Sequence, residues 1–193
     1  MKRLAIFLGI LVLFPACTRY VCWIERTFKQ AELCDVCYAK EARECTRSQP
    51  VYDYLNTIDF IYVLWINAMV FKAHEGLMQG CLDQCEISKQ GLESVASFEK
   101  EQEEKTCFLV LMDNEKKDWS MTLIVGDEHF APEKIKGIEL DRGYRGILGH
   151  QVTRYQRNVY EVEFNKGAVS KKPFSLQLFD GTHRVTFCWN EEC

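Results

Sequence analysis

The sequence predicts an α+β protein, with an N-terminal disulfide-stapled helical region of about three helices followed by a small antiparallel β-sandwich. Three observations carry that expectation. Apolar residues recur at helical steps of three, four or seven before residue 106, and at alternate positions after it. Eight of the ten cysteines fall within the first 107 residues. The expected divisions are a signal peptide at 1–16, a Cys-rich helical region at 17–105 and the sandwich at 106–193.

Met1, Lys2 and Arg3 precede LAIFLGILVLF, 11 apolar residues without a break. A basic start, a short apolar run and a small residue at its end form the profile of an export signal. A bilayer-spanning helix needs about 20 apolar residues, and Pro15 and Arg19 close this run sooner. Ordinary cleavage after Ala16 calls for a small residue two positions earlier, where Phe14 stands. The junction of Ala16 and Cys17 instead resembles the bacterial lipoprotein signal, in which a small residue precedes the cysteine that receives the lipid. The resemblance covers residues 1–17, and Pro15 departs from the residue type usual at its position. It implies lipidation of Cys17, a membrane contact through that anchor, and a place in the cell envelope, on the periplasmic side or the cell surface. Several acyl chains hold durably where a single one is marginal. The alternative is ordinary secretion with Cys17 in a disulfide.

Removing residues 1–16 leaves a chain with ample material for a core, since 47% of the sequence is hydrophobic and 12% aromatic. A net charge of −4 and the lack of any long Lys/Arg cluster argue against nucleic acid as a partner. In an exported chain cysteines are read as disulfides before metal ligands. Lipidation of Cys17 would leave nine, so one would be unpaired or bonded to another chain.

The first helix is expected over CWIERTFKQAELCDVCYAKEAREC, where Ile24, Phe28, Ala31, Cys34, Tyr38 and Cys45 form an apolar stripe. After Pro50 a second helical pattern runs through Tyr52, Leu55, Ile58, Tyr62, Trp65 and Met69. Its segment IDFIYVLWINAMVF is apolar on nearly every side and reads as the most buried helix. With 14 residues interrupted by Asp59 and Asn67, it is too short and too polar for a membrane span. A third helix carries Cys81, Cys85, Leu92, Val95 and Phe98 and ends in the charged EKEQEEK.

Cys34 with Cys37, and Cys81 with Cys85, would each share a helical face, so two bridges could staple two helices. Cys45, Cys107, Cys188 and Cys193 complete the disulfide candidates. The four paired thiols could alternatively hold zinc, but zinc ribbons place CxxC on a tight knuckle and not within a helix. A thioredoxin-type role for CDVC lacks the preceding strand and helix start that lower a thiol pKa. No metal and no cofactor is expected.

After residue 106, CFLVLMD and WSMTLIVGD read as strands around the turn-like NEKKD. In NVYEVEF, Tyr160, Val162 and Phe164 face one side and Glu161 and Glu163 the other. PFSLQLF and HRVTFCW flank an Asp-Gly pair suited to a hairpin. That places Phe174, Leu176 and Leu178 on the same side as Val185, Phe187 and Trp189. A shorter strand around IKGIEL brings the number to about six.

No catalytic residue is assigned. His74, His129, His150 and His183 stand apart from any metal or triad spacing, and no GxSxG, P-loop or GxGxxG occurs. DRGYRGILGH at 141–150 is the loop singled out for binding. Its Arg142, Tyr144 and Arg145 offer an aromatic ring and two guanidinium groups to a sugar or an anionic partner, although its glycines would equally make turns. The functional expectation is an exported, lipid-anchored envelope protein with a structural role or one of binding a protein or glycan partner. A soluble secreted disulfide-rich interaction protein and an envelope enzyme with an unrecognised site are the alternatives.

Overall fold

The computed structural model describes residues 39–78, 89–113, 119–149, 158–167, 169 and 172–190. In chain order they form helix α1 (Ala39–Arg43), strands β1 (Thr46–Asp53) and β2 (Asn56–Ile66), and helices α2 (Ala68–Met78) and α3 (Lys89–Glu101). Strands β3 (Thr106–Met112), β4 (Ser120–Val125), β5 (Glu128–Phe130) and β6 (Lys134–Gly137) follow. Helix α4 (Arg142–Leu148) and strands β7 (Asn158–Phe164), β8 (Phe174–Phe179) and β9 (Arg184–Trp189) complete the fold.

All strand pairs are antiparallel. One sheet has the order β1-β2-β3-β7-β6 and the other β5-β4-β8-β9. They meet through aromatic rings. Trp65 of β2 meets Phe174 of β8 edge-on at 4.9 Å, and Phe108 of β3 lies 5.3 Å from Trp189 of β9. Phe174 and Trp189 stack on one another at 5.3 Å and 9°. Their strands put the six apolar residues on one side, as expected, with Phe174 opposite Trp189, Leu176 opposite Phe187 and Leu178 opposite Val185. At the turn of that hairpin, Gly181 takes φ +93° and Asp180 Oδ1 accepts the backbone N–H groups of Thr182 and His183.

Leu64 and Leu109 are register partners that point away from the second sheet, yet both are fully buried. The helices supply their cover, since Val70 and Ala73 of α2 and Ile147 and Leu148 of α4 belong to the same apolar cluster. The first sheet is therefore apolar on both faces over half its length. Beside it, β1 lies along β9, where Arg47 Nε donates to Cys188 O at 3.0 Å and Gln49 Nε2 to Thr186 O at 3.0 Å. Trp189 Nε1 donates to Cys45 O at 3.0 Å and closes the same corner.

The expected architecture of a stapled helical region followed by a sandwich is corrected here. Residues Thr46–Ile66, read as the approach to the most buried helix and as that helix itself, form the β1–β2 hairpin that pairs directly with β3. The helical stripe from Tyr52 to Met69 was coincidental: a strand buried on both faces gives a nearly continuous apolar run, and periodicity cannot tell that from a buried helix. Helix begins only at Ala68, after Asn67, whose Oδ1 accepts Val70 N at 2.9 Å. The third expected helix is present as α3, and the first contributes only α1 to the described residues.

The stapling is corrected as well. Cys45 and Cys107 carry free thiols, and no two described cysteines are bonded to each other. Cys188 is disulfide-bonded to a residue outside the described ones. Cys17, Cys34, Cys37, Cys81, Cys85 and Cys193 also lie outside them. Among the described residues a single apolar cluster joins the two sheets and the helices. Truncating Phe108 to alanine should cost about 3–5 kcal/mol, read by urea unfolding, whereas Leu92→Ala on the exposed face of α3 should stay within about 0.5 kcal/mol.

Candidate functional site

The segment DRGYRGILGH, expected as a loop, is mainly the short helix α4. Asp141 caps it, its Oδ1 accepting Tyr144 N at 2.9 Å. At the other end Arg43 of α1 donates to Ile147 O at 2.7 Å and Gly146 O at 3.2 Å, satisfying carbonyls the helix leaves open. The glycines serve close packing. A Cβ at Gly143 would fall 2.4 Å from His74 Cδ2, so only glycine lets α4 lie this near α2.

His74 links these helices. Its Nε2 lies 2.8 Å from Asp141 Oδ2, and its ring is 4.3 Å from that of Tyr144. Burial, then the nearby Asp141 and Glu161, push the Tyr144 phenol well above its ordinary range. Tyr144 thus faces the packed interior, whereas Arg142 and Arg145 remain exposed. The three residues expected to form one binding loop are divided between core and surface. A histidine held by a carboxylate is the geometry of an oriented general base, but such a base needs its free nitrogen within reach of a substrate proton. His74 Nδ1 is buried with no hydrogen-bond partner. The pair fastens α2 to α4. His183 likewise pairs with Asp180 inside its own turn, His129 is exposed on β5, and His150 lies outside the described residues.

Cys107 sits on the helix-covered face of β3, in a cavity of 110 Å³ bordered by Phe98, Lys105, Glu161 and Glu163. Glu163 is engaged by Lys134 at 2.7 Å and by Lys105 at 3.7 Å. Burial, then Glu163 and Glu161, push the Cys107 thiol up to about 12, so it stays protonated and is a poor nucleophile. Cys45 accepts a hydrogen bond from Asn67 Nδ2 at 3.2 Å, and its burial raises it too. No group of three or more His, Cys, Asp or Glu able to hold a metal occurs among the described residues. A larger cleft of 280 Å³ opens at the start of α2, beside Trp65, Asn67, Lys105 and Thr106. Three of its polar side chains are turned to internal partners, since Asn67 caps α2, Gln102 Nε2 donates to Ile66 O and Thr106 Oγ1 donates to Lys166 O, whereas Trp65 Nε1 is buried without a hydrogen-bond partner.

The surface feature without an internal explanation is the tip of the β1–β2 hairpin. Tyr52, Tyr54 and Leu55 are 56%, 96% and 97% exposed, and they make up three of the seven large exposed hydrophobics among the described residues. The stem beneath them is tied to the body. Val51 is buried, and the buried Asp59 Oδ1 accepts Phe60 N at 2.8 Å and Asp113 N at 3.0 Å. A register shift between Val51 and Tyr52 precedes the last pair, Asp53 with Asn56. Tyr54 then takes φ +52°, a conformation that costs an L-residue about 1–2 kcal/mol and that a hairpin turn ordinarily gives to glycine or asparagine. Farther along the open half of this sheet face, Phe60 opposes Pro50 and Tyr62 opposes Ser48, with the Phe60 and Tyr62 rings 4.9 Å apart. Sequence reasoning passed over this hairpin because it assigned Tyr52–Met69 to a helix. The alternation of Ile58, Phe60 and Tyr62 with Asp59 and Ile61 was the signal that could have found it.

Two outcomes follow from this geometry. Gly143→Ala should lower stability by about 1–3 kcal/mol by displacing His74 from Asp141, while Arg142→Ala and Arg145→Ala should each stay within about 0.5 kcal/mol. Thermal unfolding of the three variants checks both magnitudes. For the thiols, Cys45 and Cys107 should resist iodoacetamide at neutral pH in the native protein and react once it is unfolded. The stabilisation linked to Cys107 is complete below the thiol's ordinary value of 9.0. It should fall as pH rises toward about 12, because over that window the unfolded chain loses the proton that the folded one keeps.

No family model matches this chain, and comparisons with curated proteins and with solved structures found no match, so its function has to be argued from its own residues.

Proposed function

We propose that the chain is an exported envelope protein, tethered through a lipid on Cys17, and that its double-sheet body carries the β1–β2 hairpin as the contact surface for a partner. The N-terminal pattern supports the first half of this reading: Lys2 and Arg3, the apolar run from Leu4 to Phe14, then Ala16 before Cys17. One observation carries the second half. Tyr52, Tyr54 and Leu55 are held in water on a stem tied to the body, at a strained turn, with nothing in the described fold to cover them. Backbone strain of this kind persists where function maintains it. The reading favours binding over catalysis, since neither described free thiol nor the His74–Asp141 pair presents a reactive atom to solvent. No described helix is long and apolar enough to cross a membrane.

Expressed in a bacterial host, the protein should partition into detergent and carry the mass of an acylated N-terminus. Cys17→Ser should release it or block its processing. Export in soluble form with an unmodified N-terminus would overturn the tether while leaving the hairpin as contact surface open to its own test.

A further inference from the structure

Resting on the reading of the hairpin as a contact surface, we infer that its partner is the interface of an uncharged or zwitterionic lipid bilayer, into which Tyr54 and Leu55 dip. Shape is the first argument. Pockets for small molecules and sugars are concave, whereas this tip is convex, a two-residue turn whose side chains are almost fully in water. A soft planar surface accommodates a convex wedge without a preformed complement. Size is the second. A specific protein interface buries about 800 Å² on each partner, more than three side chains at a turn supply.

Composition is the third argument. Leucine at the apex offers nothing to a sugar hydroxyl but gains from leaving water, and the flanking tyrosines have the apolar body and polar tip that favour the headgroup level. The charge then selects the lipid. Residues 51–60 hold Asp53 and Asp59 and neither Lys nor Arg, so the basic residues that attract anionic headgroups are missing from the tip. The wedge by itself is weak. Beside an acylated Cys17, which supplies the durable hold, it would keep the two-sheet body in one orientation against the membrane.

The test uses the full chain carrying Cys17→Ser, so that no acyl chain contributes, with Leu55→Trp added as a reporter. Of the four native tryptophans, Trp65, Trp119 and Trp189 are buried and Trp23 is common to parent and variant, so the difference from the parent reports the tip. On phosphatidylcholine vesicles the new emission should shift to the blue and be quenched by brominated lipid. Leu55→Asp in the same Cys17→Ser background should weaken vesicle binding at least about tenfold with an unchanged melting temperature, and this comparison cancels any contribution from the N-terminal apolar run. Unshifted, unquenched emission on these vesicles overturns the bilayer as partner. If that same reporter instead responds to a glycan or a soluble envelope protein, the hairpin remains the contact surface and only the bilayer inference falls. If it responds to none of them, both fall.

Discussion

The stack of Phe108, Phe174 and Trp189 between the two sheets is the contact on which the rest of the fold depends. Phe108 belongs to the central strand of the five-stranded sheet, flanked by β2 and β7, while Phe174 and Trp189 are opposite partners on the last hairpin. Phe164 meets Phe108 edge-on at 5.9 Å and extends the cluster along β7. Aromatic pairs in such arrangements contribute beyond the area they bury. The indole of Trp189 does a second job by donating to Cys45 O, which fixes the turn that leads into β1. Packing at the centre thereby sets where the β1–β2 hairpin leaves the body.

The helices cover only half of the other face of the larger sheet. They cover it tightly because Gly143 and Gly146 allow α4 to approach His74 and Leu77, and because Asp141 serves both as helix cap and as the acceptor facing His74. Beyond that cover Tyr62 and Phe60 are half-buried among the described residues, and the hairpin tip is exposed. A stem tied to the body and an exposed tip are thus two consequences of one arrangement, and the proposed contact surface is the part of the sheet that the helices do not reach. The free thiols fit the same picture. Cys45 and Cys107 behave as small buried apolar groups.

Most strands after residue 106 were legible in the sequence, because β4, β7, β8 and β9 each have one face toward the core and one toward water or a half-open surface. Alternation survives under those conditions, and it located β4, β7, β8 and β9 and placed the apolar residues of the last hairpin on one side. Strand β3, buried on both faces, showed as a short apolar run before the turn-like NEKKD. The short β5, three residues long, was too brief to show a period. The candidate site was far less legible. Tyr144 was chosen for its chemistry, but its role as packing against His74 depends on α2 and α4 meeting across 67 residues of chain.

By itself the sequence determined the alternation of the later strands, the Asp-Gly turn and the α3 helix, all of which are local properties of a few neighbouring residues. Only the tertiary structure decided that Thr46–Ile66 is a hairpin, that Cys45 and Cys107 stay unpaired, and that Tyr54 and Leu55 are left in water. The physical reason is the same in each case. Val63, Leu64, Trp65 and Ile66 are buried on both sides, by a second sheet and by helices, so their apolar run carries no period. Exposure at the tip is likewise the outcome of where those distant elements stop.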